Sequence, residues 1–267
     1  MKGRFFIIRI KDLIYVAAVT VTAVIFIVFL LGIIADADTK TTAKLAIILD
    51  DFGQARDGVD VAMGINRKLT CAIMPFLEFT EKDMKAAAAA GHEVIIHIPL
   101  QNGINDNVKW VGENAIKTTY TDNQVRDLVT AFINNIPAAV GANIHMGSLG
   151  SADRRIVKAI MKTLYERGLY FIDSKTNARS VCSFVAEEVG INFSENDVFL
   201  ESKGGSEEDV KKLLMAAARI AKKTGKAFAI GHVGAENGAT TANVIKDSIG
   251  EIEKMGVELV YASEIIK

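Results

Sequence analysis

From Lys44 to the end of the chain, short runs of β-branched and aliphatic residues alternate with longer segments of helical period, a pattern that predicts an α/β fold. The strand candidates are Leu45–Leu49, Leu69–Met74, Glu93–Ile98, Ala139–Ile144, Leu169–Ile172, Val198–Leu200, Ala227–Ile230 and Val257–Tyr261. Several are apolar throughout, as expected of parallel strands covered on both faces. Helices fill the intervals. Thr80 to Asp83 has capping-box spacing and the alanine run behind it stops at Gly91; Ser206 to Asp209 repeats the start signal, and Gly225 closes that segment. No Pro/Ser-rich linker or charge block interrupts 44–267, so it reads as one domain. Seven or eight strand–helix units in that length predict a (β/α) barrel, with an open doubly wound sheet as the alternative.

The beginning of the chain reads differently. Leu13 to Ala35 carries no charged residue, and at ~1.5 Å rise per residue it is long enough to cross a ~30 Å hydrocarbon core. Lys2, Arg4, Arg9 and Lys11 precede it and Asp36 and Asp38 follow, so the positive-inside tendency keeps the N-terminus cytoplasmic and places the remainder outside. The expected organisation is a basic N-terminus (1–12), one transmembrane signal-anchor helix (13–35), a linker (36–43) and an exported domain (44–267). Ala35-Asp36-Ala37 has the small-x-small form of a cleavage site, which leaves secretion after cleavage as the alternative.

Beyond residue 43 the chain is nearly neutral, and no basic stripe with interleaved aromatics appears, which excludes nucleic acid as an expected partner. Cys71 and Cys182 are the only cysteines. Buried free thiols are expected, with pairing as the alternative in an oxidising compartment.

The residues able to do chemistry gather at strand ends. Asp50 and Asp51 follow the first strand, and Gly53 lets the chain turn into the next helix. Adjacent carboxylates repel, and a cation relieves that repulsion; pointing apart, one ligates while the other accepts a proton. The competing reading of either aspartate is a helix N-cap. His97 ends its strand, whereas His92 opens the same strand about 16 Å away at ~3.3 Å per residue. His97 is therefore the candidate ligand, and His92 orders the turn after Gly91. His145, with Asp51 and His97, completes an Asp/His/His set suited to zinc or a related divalent ion. His232 ends a late strand that neighbours the first on closure, and is placed to donate a proton. Ser148, Asp173, Ser174, Lys175 and Glu201, at or just beyond further strand ends, are candidate substrate contacts.

Several of these residues lie in motifs that occur in a characteristic order: Leu49-Asp50-Asp51-Phe52-Gly53, His97-Ile98-Pro99-Leu100, His145-Met146-Gly147-Ser148, Phe171-Ile172-Asp173-Ser174-Lys175-Thr176, Asp197-Val198-Phe199-Leu200 and Ala229-Ile230-Gly231-His232. In this respect the chain resembles the divergent polysaccharide deacetylases over about Lys44 to Ile265. The resemblance implies a distorted (β/α) barrel, Asp50 as general base, Asp51 and His97 as metal ligands and His232 as general acid. The typical deacetylase has a second histidine four residues after its first; here that position is Gln101, a poorer ligand, and His145 is the well-placed replacement. The divergent branch carries an asparagine immediately before the histidine matched by His145. Ile144 removes that amide, and Lys175 replaces an arginine.

The expected activity is metal-dependent removal of acetyl groups from an acetylated glycan of the cell envelope, by a domain held at the membrane. Two alternatives accompany it: a non-catalytic glycan-binding or scaffold protein that retains the barrel, and a metal-dependent amidase or esterase acting on another substrate.

Overall fold

The hub of the structure is β1 (Ala43–Phe52), which pairs with three other strands. A computed structural model describes residues 10, 19–26, 42–103, 114–201, 205–234 and 237–267. After β1 come β2 (Thr70–Ile73), β3 (Glu93–Leu100), β4 (Gly141–Met146), β5 (Tyr170–Asp173), β6 (Phe193–Glu195), β7 (Val198–Phe199), β8 (Lys226–His232) and β9 (Val257–Val260). The sheet is parallel, in the order β6-β5-β4-β3-β2-β1-β8-β7, with β9 alongside β1.

The helices between them are α1 (Val59–Met63), α2 (Thr80–Ala89), α3 (Asp122–Asn135), α4 (Arg154–Tyr165), α5 (Cys182–Val189), α6 (Glu207–Thr224) and α7 (Gly238–Lys254). Ser206 caps α6 by accepting from Asp209 N, and Gly225 ends it at φ 91°, as the sequence predicts. The expected box at Thr80 is different. Thr80 Oγ1 donates to Met74 O, and the Asp83 carboxylate instead accepts from Gly53 N at 2.9 Å and from Arg56. Those bonds anchor the turn that follows Asp50 and Asp51.

The barrel is expected with seven or eight strands; among the described residues the parallel sheet has nine, curled into a half-barrel. Its two ends, β6 and β7, are halves of one bent segment. Asn196 N donates to Asp173 O at 2.9 Å on one side of the bend, and Asp197 N to Phe228 O at 3.0 Å on the other. β6 is a three-residue Phe-Ser-Glu strand, too short to give a periodic signal.

Strand residues alternate between two cores. Leu45, Ile47 and Leu49 of β1, Ile96 and Ile98 of β3, Ala142 and Ile144 of β4, Phe171 of β5 and Ala229 of β8 pack with helix residues such as Val129, Phe132 and Ile160. The other parity fills the inside of the curl: Ala46 and Ile48, Ala72, Ile95, Ile172, Phe228 and Ile230 form one cluster, closed at the lower end by Val260, Ala262 and Ile265. Each fully buried aliphatic side chain of this kind contributes about 1.5–3 kcal/mol. Cys71 and Cys182 are buried free thiols.

Residues 1–41 form a separate unit from 42–267. Within it Val19–Phe26 is helical, and the rest of the expected 13–35 anchor lies outside the described residues. Among the described residues no helix is long and apolar enough to cross a membrane.

Candidate functional site

Period-two alternation places the site. Asp50, His97, Asn143, His145 and His232 share the parity of the interior residues on their strands, so they form a polar layer above Ile48, Ile95 and Ile230. Asp51 has the opposite parity. A register irregularity between Leu49 and Phe52, with Asp51 at φ 67°, brings its carboxylate back to the same layer. A left-handed conformation at a non-glycine residue costs on the order of 1–2 kcal/mol, and it lets two consecutive aspartates serve one site.

The three expected ligands converge. Asp51 Oδ1 is 2.9 Å from His145 Nδ1 and 3.2 Å from His97 Nε2, and those two ring nitrogens are 3.1 Å apart. All three ligand atoms lie within 4.8 Å of one another. The two ring nitrogens are within hydrogen-bond distance of each other, yet Asp51 Oδ1 beside them is buried with no hydrogen bond. One carboxylate and two imidazoles, with an orphaned oxygen among them, fit a divalent cation such as zinc.

The electrostatics follow from burial and crowding. Burial raises the Asp51 carboxyl, but the imidazoles of His145 and His97 outweigh it and hold the group well below the usual carboxylate range. Burial dominates at Asp50 and leaves it raised, against the opposing pull of His97, His232 and the Asn143 amide. At His97 burial works downward, and Asp50 and Asp51 reverse it.

Across from this cluster, His232 is the register partner of Asp50 on β8. Its Nδ1 lies 3.0 Å from Glu201 Oε2, and its backbone N donates to Glu201 Oε1 at 3.0 Å. Thr241 Oγ1 donates to the same Oε1 at 2.7 Å. A side chain at Gly231 would sit 2.8 Å from Thr241 Cγ2 and 3.2 Å from Glu201 Oε1, so glycine leaves room for both side chains against the strand. Burial lowers the His232 pKa, but Glu201, then Asp50 and Asp51, push it up to about 9.

Glu201, expected as a substrate contact, is thus bound to His232. Asp173 and Ser174 also differ from that expectation: they are 1 % and 2 % exposed. Asp173 shares the helix-facing parity of Phe171 and accepts from Ser180 Oγ and Lys175 N, while Ser174 Oγ donates to Ile144 O. Ser148, half-buried, donates to Asn102 Oδ1 at 2.5 Å. Lys175 is exposed and paired with Glu195 at 2.8 Å. Gln101 accepts from Thr118 N and Oγ1, both at 2.8 Å. His92 stands apart, its Nε2 3.2 Å from Ala62 O.

Asn143 is the residue that sequence reasoning missed. Its Nδ2 donates to Asp50 Oδ1 at 2.7 Å and its Oδ1 lies 2.7 Å from His97 Nδ1. The orienting amide sought at position 144 sits one residue earlier, because Ile144 faces the helices while residues 143 and 145 face inward. Strand parity alone carried that signal.

Comparison with known proteins agrees with this architecture. The chain is 32 % identical over 194 residues to an uncharacterized protein of Haemophilus influenzae and 26 % identical over 201 residues to the uncharacterized protein YibQ of Escherichia coli, covering 71 % and 75 % of this chain. It spans 66 % and 62 % of those relatives. An uncharacterized protein from Agrobacterium tumefaciens C58 superimposes with TM-score 0.75 at 20 % identity, over 84 % of this chain and 89 % of that one. A peptidoglycan N-acetylglucosamine deacetylase, Bc1960, shares the fold at TM-score 0.53 and 12 % identity, over 84 % and 88 %. The sequence model of divergent polysaccharide deacetylases matches residues 47–266, and the chain belongs to that family.

Proposed function

We propose that this protein is a metal-dependent hydrolase that removes acetyl groups from an acetylated glycan of the cell envelope. The observation that carries the reading is the meeting of Asp51, His97 and His145 beside Asp50, with His232 on the neighbouring strand. Asp51, His97 and His145 would hold the ion. A divalent cation supplies Lewis acidity there, polarising a carbonyl and making water more acidic.

The protein groups handle the protons. Asp50, oriented by Asn143, accepts a proton from the attacking water. His232, kept cationic by Glu201, donates one to the departing nitrogen or oxygen as the tetrahedral centre collapses. Its side chain is 36 % exposed, so it exchanges protons with solvent between turnovers. Ser148 and Lys175, at the rim, are the remaining candidates for sugar contacts. The family membership and the deacetylase fold support this substrate class. The uncharged apolar segment 13–35 and the basic residues before it support a reading in which the domain lies outside the cytoplasm, anchored to the membrane.

The test is bound-metal analysis of the purified protein with acetate release from acetylated glycan fragments, beside Asp50→Asn. Bound metal and acetate release that falls at least about 100-fold in the variant are expected. Metal without acetate release on a broad glycan panel identifies a binding protein instead; activity confined to simple esters or peptides identifies a different hydrolase.

A further inference from the structure

Asn143 is fully buried on the inner face of β4, where its cross-strand neighbour on β3 is His97. It touches both halves of the proposed machinery, and chemistry fixes the direction of both contacts. The amide NH2 faces Asp50, Nδ2 donating to Asp50 Oδ1 at 2.7 Å. The carbonyl oxygen then faces His97, and because that oxygen also only accepts, His97 Nδ1 must carry the proton. His97 Nε2 is left with its lone pair toward Asp51 Oδ1 and His145 Nδ1, at 3.2 and 3.1 Å. One planar group on β4 therefore ties Asp50 on β1 to the tautomer of His97 on β3.

We propose that Asn143 is a positioning residue that locks His97 in the Nδ1–H tautomer and, with the other end of the same carboxamide, fixes the orientation of Asp50. The proposal rests on the function proposed above and adds to it a rigid link between a metal ligand and the base. A hydroxyl has one rotatable proton and an aliphatic side chain none, whereas a carboxamide holds a donor and an acceptor in one plane. Asn143 and His145, two residues apart on one strand face, give β4 both the link and a ligand.

Two variants separate the two ends. Asn143→Asp keeps an acceptor for His97 but loses the donor to Asp50 and sets a second carboxylate against it. Its zinc affinity is expected to stay within about threefold of wild type while kcat falls at least about tenfold with little change in KM. Asn143→Ala loses both ends; zinc binding about 10- to 100-fold weaker is expected, together with a fall in kcat. The third measurement needs no variant. Long-range proton–nitrogen NMR of the zinc-loaded wild-type protein is expected to show His97 protonated at Nδ1, and an unprotonated Nδ1 overturns the proposal. Equal losses of zinc affinity in the two variants, or wild-type behaviour in either, also overturn it. Wild-type protein that binds zinc and releases acetate, with both variants matching it, sinks the link alone. Wild-type protein that does neither sinks the function beneath it.

Discussion

The half-barrel carries a polar cluster at each end, half-buried at one and buried at the other, and the two are built on opposite terms. At the lower end, Glu93 Oε1 accepts from Tyr170 OH at 2.8 Å, Thr70 Oγ1 at 2.9 Å and Ser263 N at 3.3 Å, and Thr70 Oγ1 in turn accepts from Ala262 N at 3.0 Å. Donors and acceptors match, and the result is a clasp that holds the last turn of the chain beneath the interior core. At the upper end Asp51, His97 and His145 lie equally close but leave Asp51 Oδ1 without a hydrogen bond. A satisfied network rigidifies; a convergent, unsatisfied one of the same size is a place for a ligand. The distinction lies in the accounting of donors, not in the residue types.

Metal linkage gives the largest expected contrast between the ends. Zinc at a hundredfold excess over its Kd adds about 2.7 kcal/mol to the unfolding free energy of the wild-type protein, and nothing to Asp51→Ala. Denaturant unfolding with and without zinc measures both, and an equal increment in the variant removes Asp51 from the ion's shell.

Next comes the proton donor opposite the cluster. The imidazolium of His232 is present below its pKa and lost as pH rises through it, so the alkaline limb of kcat falls at or below about 9, a bound cation opposing the carboxylates that raise it. Glu201→Gln removes the principal support, and the limb moves toward the ordinary histidine value of about 6.5. At pH 8 the variant is expected to lose on the order of tenfold in kcat relative to wild type, with the loss recovered in acid. An unmoved limb separates Glu201 from the titration.

The smallest effect belongs to the clasp. Tyr170→Phe deletes one of the hydrogen bonds to Glu93 and is expected to cost about 1 kcal/mol, or about 2–4 °C in Tm for a domain of this size, with the zinc increment unchanged. A changed increment would show that the two ends are coupled.

Much of this is legible in the amino-acid sequence alone. The apolar runs gave the strands of the parallel sheet except β6, and the strand-end positions singled out Asp50, Asp51, His97, His145 and His232. What escaped detection depends on spatial facts that a linear pattern does not carry. Asp173 looked available because it ends a strand, yet its parity turns it to the helices and Ser180 occupies it. Asn143 lies one residue before the position where the resemblance sets an asparagine, and only alternation through His145 places it inward. The irregularity that brings Asp51 beside Asp50 has no signature in residue type, since either residue alone is an ordinary strand end.

The pairing of β1 with β8 also sets a timetable. Residue 50 lies beside residue 232, so β1 leaves one edge bare until nearly the whole domain has been synthesised, although Asp51, His97 and His145 emerge much earlier. Contacts so distant along the chain slow folding, and an exposed central strand invites association with other chains meanwhile. The finished enclosure, with His232 set beside Asp50, is therefore a product of the completed domain.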